Sequence, residues 1–330
     1  MTQSVAVHSA RLEDLFIDLR TGRAAPEWAD VWQPLGLVDL QACPTDIRIA
    51  ALPPFPLIGW GDATHPLASA LDAVVESPVS AEALLRQVKQ APRAAAIAVQ
   101  LLRGLEGLPT DQALQFESAC YGLLQGSAEH ARWLAMRGAS PRQSAAAGRL
   151  VVDRCGAELT LTLDRPLARN AIDHAMRDQL VEAFSVAAAD PEVCSIKLRA
   201  LGAAFSVGGD LDEFGTTRDP ATAHLIRSRS LPALALGARA DILDAHVQGA
   251  CVGAGLEIAA FAARLTASSQ AWFQLPELSM GLIPGAGGCV SVPRRIGRQR
   301  TLLMILSGRR INAQTALRWG LIDAIRDKPQ

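Results

Sequence analysis

An α/β fold built from repeated β-β-α units is predicted for residues 151–330, with a mainly helical region ahead of it. Three observations carry this: an alternating leucine run that ends at a proline, two glycine-rich junctions that each follow a strand-like run, and alanine-rich helical periodicity ahead of them.

The elements read in order as follows. Residues 32–60 hold several prolines and short apolar runs such as IRIALPPFPLIGW. Proline lacks the N–H that a helix interior needs, so extended segments and turns are expected. Residues 80–106 are alanine-rich and helical in pattern. In residues 111–137, Leu114, Phe116, Ala119, Leu123 and Leu124 recur between polar intervals, and Ala131, Leu134 and Ala135 continue a second helix. The chain is expected to divide between 145 and 155, into a region 1–150 that is mixed and then helical and a core over 151–330.

Beyond the division, Leu159, Leu161 and Leu163 alternate in AELTLTLDRP, which predicts a strand that stops near Pro166. Residues 170–189 read as a helix with Asn170 or Asp173 as its cap. Strand candidates at 194–201 and 242–247 each run into a glycine-rich junction, AFSVGGDL at 204–211 and GACVGAGLE at 249–257. A helix over 255–264 follows the second. The phosphate-loop GxxxxGK pattern is missing, and so is a dinucleotide GxGxxG in its strand context.

Composition narrows the function classes. The 330 residues are 49% apolar and 20% charged, with a net charge of -1, so neither a broad polyanion-binding surface nor an acidic tail is implied. No nucleic-acid partner is expected. Six cysteines at 43, 120, 155, 194, 251 and 289 have no paired spacing and suit reduced thiols. The histidines show no metal-ligand pattern, so no metal is expected. The start, MTQSVAVHSARLEDLF, lacks the basic and apolar regions of a signal peptide, and the most apolar windows fall short of the ~20 residues that cross a bilayer. A cytoplasmic protein with no membrane partner is the expectation.

The junctions suggest the chemistry. Small residues there bring unhindered backbone N–H groups close to a ligand, and two such donors stabilise charge developing on a carbonyl oxygen. Glu257 follows the second junction and Glu277 lies in LPELSMGLIPGAGG. Two carboxylates beside such donors can hold a water and move a proton. Each motif alone also fits a compact turn, a cap or a solvated carboxylate; their combination favours the chemical reading.

Five ordered motifs over 156–325 extend the pattern: LTLDRPLARNAID, LGAAFSVGGDLDEF, HVQGACVGAGLEIA, WFQLPELSMGLIPGAGG and LSGRRINAQTALRWGLIDAI. With them the chain resembles the enoyl-CoA hydratase/isomerase, or crotonase, family. The resemblance implies a spiral of β-β-α units and an acyl-CoA substrate. It places oxyanion donors at Gly209 and Ala254, the principal water-activating base at Glu257 and the principal acid at Glu277. Coenzyme A, part of the substrate rather than a separate cofactor, is implied beside Arg165, Ala168, Arg169, Gly208, Asp210 and Leu211. A homotrimer or homohexamer is implied as well.

The chain departs from the family in two ways. Leu167 stands where many relatives carry a lysine. The chain also ends soon after GLIDAI, so an unusual N-terminal extension and no usual C-terminal helical segment are expected. Residues 71–137 resemble that segment in permuted order, and would set Tyr121 or Phe116 against the acyl group. Reversible hydration of a trans-2-enoyl-CoA leads because both glutamates are present. Isomerase, hydrolase, decarboxylase and cofactor-independent aryl-acetyl-CoA dioxygenase chemistry are the alternatives within the family, and a noncatalytic acyl-CoA-binding protein is the alternative outside catalysis.

Overall fold

The computed structural model describes residues 11, 13–17, 33–49, 51–138 and 146–328. The first ten residues and Ala145, on which the leader and boundary expectations partly rest, lie outside them.

The short strands β1 (Gly36–Asp39), β2 (Leu57–Trp60) and β3 (Ala73–Val74) pair in parallel. Helices α1 (Ala81–Gln90), α2 (Pro92–Gly104), α3 (Thr110–Gln125) and α4 (Ala128–Arg137) follow. The helical pattern of 80–106 divides at Pro92, which fits the first turn of α2 because an N–H there has no intrahelical acceptor. Glu129 supplies acceptors at that end, to the N–H groups of Arg93 and Ala94 at 3.0 and 3.1 Å.

The rest of the chain alternates strand, strand and helix. β4 (Arg149–Cys155) and β5 (Glu158–Asp164) form an antiparallel pair before α5 (His174–Ala189). Leu159, Leu161 and Leu163 are buried while the residues between them are half-buried, as the alternation predicts. β6 (Ser195–Ala200) leads through the first glycine-rich junction to α6 (Pro220–Ser230) and α7 (Pro232–Gly237). β7 (Leu243–Val247), β8 (Ala250–Val252) and α8 (Ala254–Ala259) make one unit, and β9 (Arg264–Ala267), β10 (Trp272–Gln274) and α9 (Gly288–Ser307) the next. β11 (Ile311–Asn312), α10 (Ala313–Trp319) and β12 (Ala324–Ile325) close the described chain.

The first strands of these units, together with β5 and β12, enter a six-stranded sheet, ordered β12-β9-β7-β6-β5-β4. Second strands β8 and β10 pair in parallel in a smaller sheet with β11. This is the crotonase-like β-β-α organisation.

One expectation is corrected. The chain does have a substantial C-terminal helical region, formed by α8, α9 and α10, so it does not lack such a segment. The long helix escapes a simple periodicity reading because Gly297, at φ 78°, breaks α9. Leu302 to Leu306 are each at most 1% exposed, so this half has no polar face to mark its period. α9 packs against α1, α2, α3 and α8, and α3 also packs against α6 and α7.

Candidate active site

Three extended segments run side by side into the site. Ser206 bridges Cys251 in parallel, with the Ser206 N–H donating to Ala250 O at 3.0 Å and the Val252 N–H donating to Ser206 O at 3.0 Å. On the other side β8 pairs with β10, and the Gly253 N–H donates to Gln274 O at 3.0 Å. The two glycine-rich junctions and the turn carrying Glu277 therefore emerge together at one end of the small sheet.

The junctions touch. Gly208 has φ +92°, and a Cβ there would lie 3.0 Å from Val252 O and 3.6 Å from the Ala254 nitrogen. Only glycine meets both the dihedral and the approach. Ile172 forms a bridge with Gly209 and receives its support from both flanks: its own N–H donates to Gly208 O at 2.8 Å, and Asp210 N–H donates to its carbonyl at 2.9 Å. Neither the Gly209 N–H nor the Ala254 N–H donates to an acceptor among the described residues.

Both glutamates reach this point. Glu257 is 2% exposed, and its Oε2 accepts from the Ala286 and Gly288 N–H groups at 2.6 and 2.8 Å. Burial lifts its pKa to about 7 against the pull of those amides. Glu277 is 8% exposed, and its Oε2 has no hydrogen-bond partner among the described residues. Burial, and then the Glu257 charge, raises Glu277 well above the usual carboxylate range. Gly209, Ala254, Glu257 and Glu277 line one cavity of about 220 Å³ with Phe214, Tyr121 and Arg227.

The residues expected beside coenzyme A lie along the 165–169 turn and the first junction. Arg165 is turned inward: Nη1 donates to Asp210 Oδ2 at 2.6 Å and to Ala171 O at 3.1 Å, and lies 3.6 Å from Asp173 Oδ2. Asp210 also accepts from the Asp212 N–H at 3.0 Å, and so caps the turn that Leu211 begins. The Arg169 side chain is exposed and has no ion pair or hydrogen bond among the described residues. Arg165, Ala168, Arg169, Gly208, Asp210 and Leu211 all lie outside the wall of the cavity.

Several residues find their partners only in the fold. Asn170 is fully buried and does not cap α5; it accepts from Arg165 N–H at 2.8 Å and donates to Leu201 O and Ala204 O at 2.8 and 2.9 Å. Asp173 is the cap, accepting from Met176 N–H at 2.9 Å. Glu117 of α3 is fully buried and accepts from Gly287 and Cys289 N–H groups at 2.7 Å each. Tyr121 lines the cavity, whereas Phe116 is 56% exposed. Cys251 is buried and its thiol is pushed up by burial, consistent with a packing residue. Among the described residues no cluster of histidine, cysteine, aspartate or glutamate is placed to hold a metal ion, and no helix is long and apolar enough to cross a membrane.

Comparison with known proteins agrees with this geometry. The sequence model of the enoyl-CoA hydratase/isomerase family matches residues 157–330. The chain is 35% identical over 180 residues to 2,3-dehydroadipyl-CoA hydratase of Escherichia coli (strain K12), covering 53% of this chain and 68% of that one. It is 31% identical over 175 residues to mevalonyl-coenzyme A hydratase SIDH of Beauveria bassiana (strain ARSEF 2860), covering 51% of this chain and 62% of that one. Among solved structures, Pseudomonas aeruginosa AtuE superposes with a TM-score of 0.50 at 30% identity, over 54% of this chain and 70% of that one. This chain belongs to the enoyl-CoA hydratase/isomerase family.

Proposed function

We propose that the protein catalyses reversible hydration of a trans-2-enoyl-CoA to a 3-hydroxyacyl-CoA. One observation carries the reading: two backbone N–H groups without acceptors among the described residues and two buried carboxylates line a single cavity. The thioester oxygen takes the Gly209 and Ala254 donors. Ionised Glu257 removes a proton from water as the water oxygen bonds to C3, and the displaced π electrons move onto the thioester oxygen as an enolate. Protonated Glu277 then delivers its proton to C2 as the enolate collapses. Transfer of the proton from Glu257 to Glu277 resets the pair. The assignment of roles follows the two environments, since Glu257 has two amides favouring its charged form while Glu277 Oε2 has no donor.

Coenzyme A is proposed to run along the 165–169 turn and the first junction, with exposed Arg169 available to its phosphates and Arg165 supporting the turn from behind through Asp210. Residues 71–137 are read as a relocated cap on the 151–330 core. Its support is that Tyr121 lines the cavity and Glu117 binds the loop beside Glu257. A homotrimer or homohexamer in the cytoplasm completes the reading.

The test is a panel of enoyl-CoA thioesters followed by mass spectrometry. Gain of one water is the expected result. Loss of the CoA group, a shifted double bond at unchanged mass, or no reaction by folded protein would each overturn the assignment.

A further inference from the structure

Three cationic side chains line the active-site cavity or its mouth: Arg177, His174 and Arg227. Arg177 is paired with Asp178 at 2.7 Å, and His174 with Glu213 at 2.5 Å. Arg227 has no carboxylate within ion-pair distance among the described residues. Its guanidinium rests instead in a neutral cradle on one face of α3. Nε donates to Ser118 Oγ at 3.3 Å, Nη1 to Gln125 Oε1 at 2.9 Å and Nη2 to Ser118 O at 3.3 Å, while the carbon Cζ sits 4.3 Å from the centre of the Tyr121 ring.

This arrangement orients a cation without neutralising it. A guanidinium has five N–H donors, so three hydrogen bonds leave donors unused. The Tyr121 face and the Ser118 and Gln125 contacts hold the plane in place, and burial penalises the charge, pulling the Arg227 pKa down. The groups of opposite sign that act on it are Tyr121 and then Glu117, and burial drives both towards their neutral forms. A half-buried charge left in this state is stabilised by an anion that enters the cavity. Tyr121 lies directly against Gly285, in the loop just before the amides that hold Glu257, so Arg227 stands one ring beyond the reacting centre.

We propose that Arg227 binds a carboxylate at the far end of the acyl chain, making ω-carboxyacyl-CoA thioesters the preferred substrate class. This rests on the CoA-thioester reading of the site. One N–H on Nη1 and one on Nη2 are left to meet the two oxygens of a carboxylate, and the Ser118 and Gln125 contacts limit the entropy lost on binding.

Binding of two unreactive thioesters tests it by calorimetry without requiring turnover. Wild-type protein is expected to bind adipoyl-CoA about tenfold or more tightly than hexanoyl-CoA, the range of one charge-assisted contact. Arg227→Gln should bring that ratio close to one, and Arg227→Lys should keep it above one. Equal binding of both thioesters by wild type would overturn the proposal. So would Arg227→Gln weakening both thioesters and free coenzyme A alike, since Arg227 would then serve the phosphates or the fold. If neither thioester nor coenzyme A binds the folded wild-type protein, the CoA reading itself fails, and the substrate class proposed on it falls with it.

Discussion

Glu117 and Glu257 hold alternate amides of a single loop. Ala286 and Gly288 donate to Glu257, while Gly287 and Cys289 donate to Glu117. Four consecutive N–H groups at the start of α9 are thereby divided between a helix of the first half and the glutamate proposed as base. Carboxyl oxygens suit that position because the first N–H groups of a helix have no intrahelical acceptors.

Glu117 is accordingly a positioning residue, since it acts on Glu257 through the loop. Glu117→Gln places an amide NH2 against one of two N–H donors, which should displace Gly288 from Glu257. Losing that donor disfavours the Glu257 carboxylate, so the acid limb of the kcat/KM profile should move above its wild-type position near pH 7. Glu117→Ala should also lower Tm, because each buried amide left without an acceptor costs about 1–3 kcal/mol. An unmoved acid limb in the glutamine variant would refute the positioning role.

Exchanging each proposed proton-transfer group should be severe. Glu257→Gln and Glu277→Gln are expected to lower kcat for hydration by about 100-fold or more, the usual scale for acid–base groups. Wild-type kcat/KM should rise with pH as Glu257 ionises around pH 7, and fall again at higher pH as Glu277 loses its proton. Hydration that survives both exchanges would defeat the two-carboxylate mechanism.

Glu257 also sets a dependence of stability on pH. The folded protein keeps its proton up to about pH 7, whereas the unfolded chain releases it near 4.5. The native state therefore benefits fully below 4.5 and loses that benefit progressively as pH rises to 7. At about 1.4 kcal/mol per pH unit the swing is on the order of 3 kcal/mol. Relative to wild type, Glu257→Gln should gain in Tm across this window and level off above it. A Tm difference that stays constant with pH would show that Glu257 ionises normally in the folded state.

Gly208→Ala tests the junction itself. Alanine is strained at φ +92°, and its Cβ would press on Val252 O at 3.0 Å. The expected result is a loss of kcat on the scale of one misplaced oxyanion donor, about 100-fold, with a much smaller change in thermal stability. Equal loss of folding and turnover would mean that the residue serves only the fold.

Much of the core was legible in the sequence because its signals are local. Strand β5 follows from leucines at every second position, and Asp173 caps α5 from three residues away. Gly208, Gly253, Glu257 and Glu277 lie in short motifs, where close backbone approach calls for glycine and the proposed proton transfer for carboxylates. Asn170 and Asp173 are both cap candidates by local chemistry, and only the fold reveals that the Asn170 amide reaches Leu201 and Ala204 instead.

The tertiary structure alone decided what the first half contributes. Glu117 meets Gly287 across 170 residues, and Arg227 meets Ser118 across 109, separations that no periodicity records. It likewise decided that Arg165 faces Asp210 rather than the cavity, and that α9 fills the C-terminal half. The physical reason is the same in each case. Local sequence sets which backbone conformations and side-chain chemistries are available, whereas burial, shared donors and pKa values depend on which distant segments pack together.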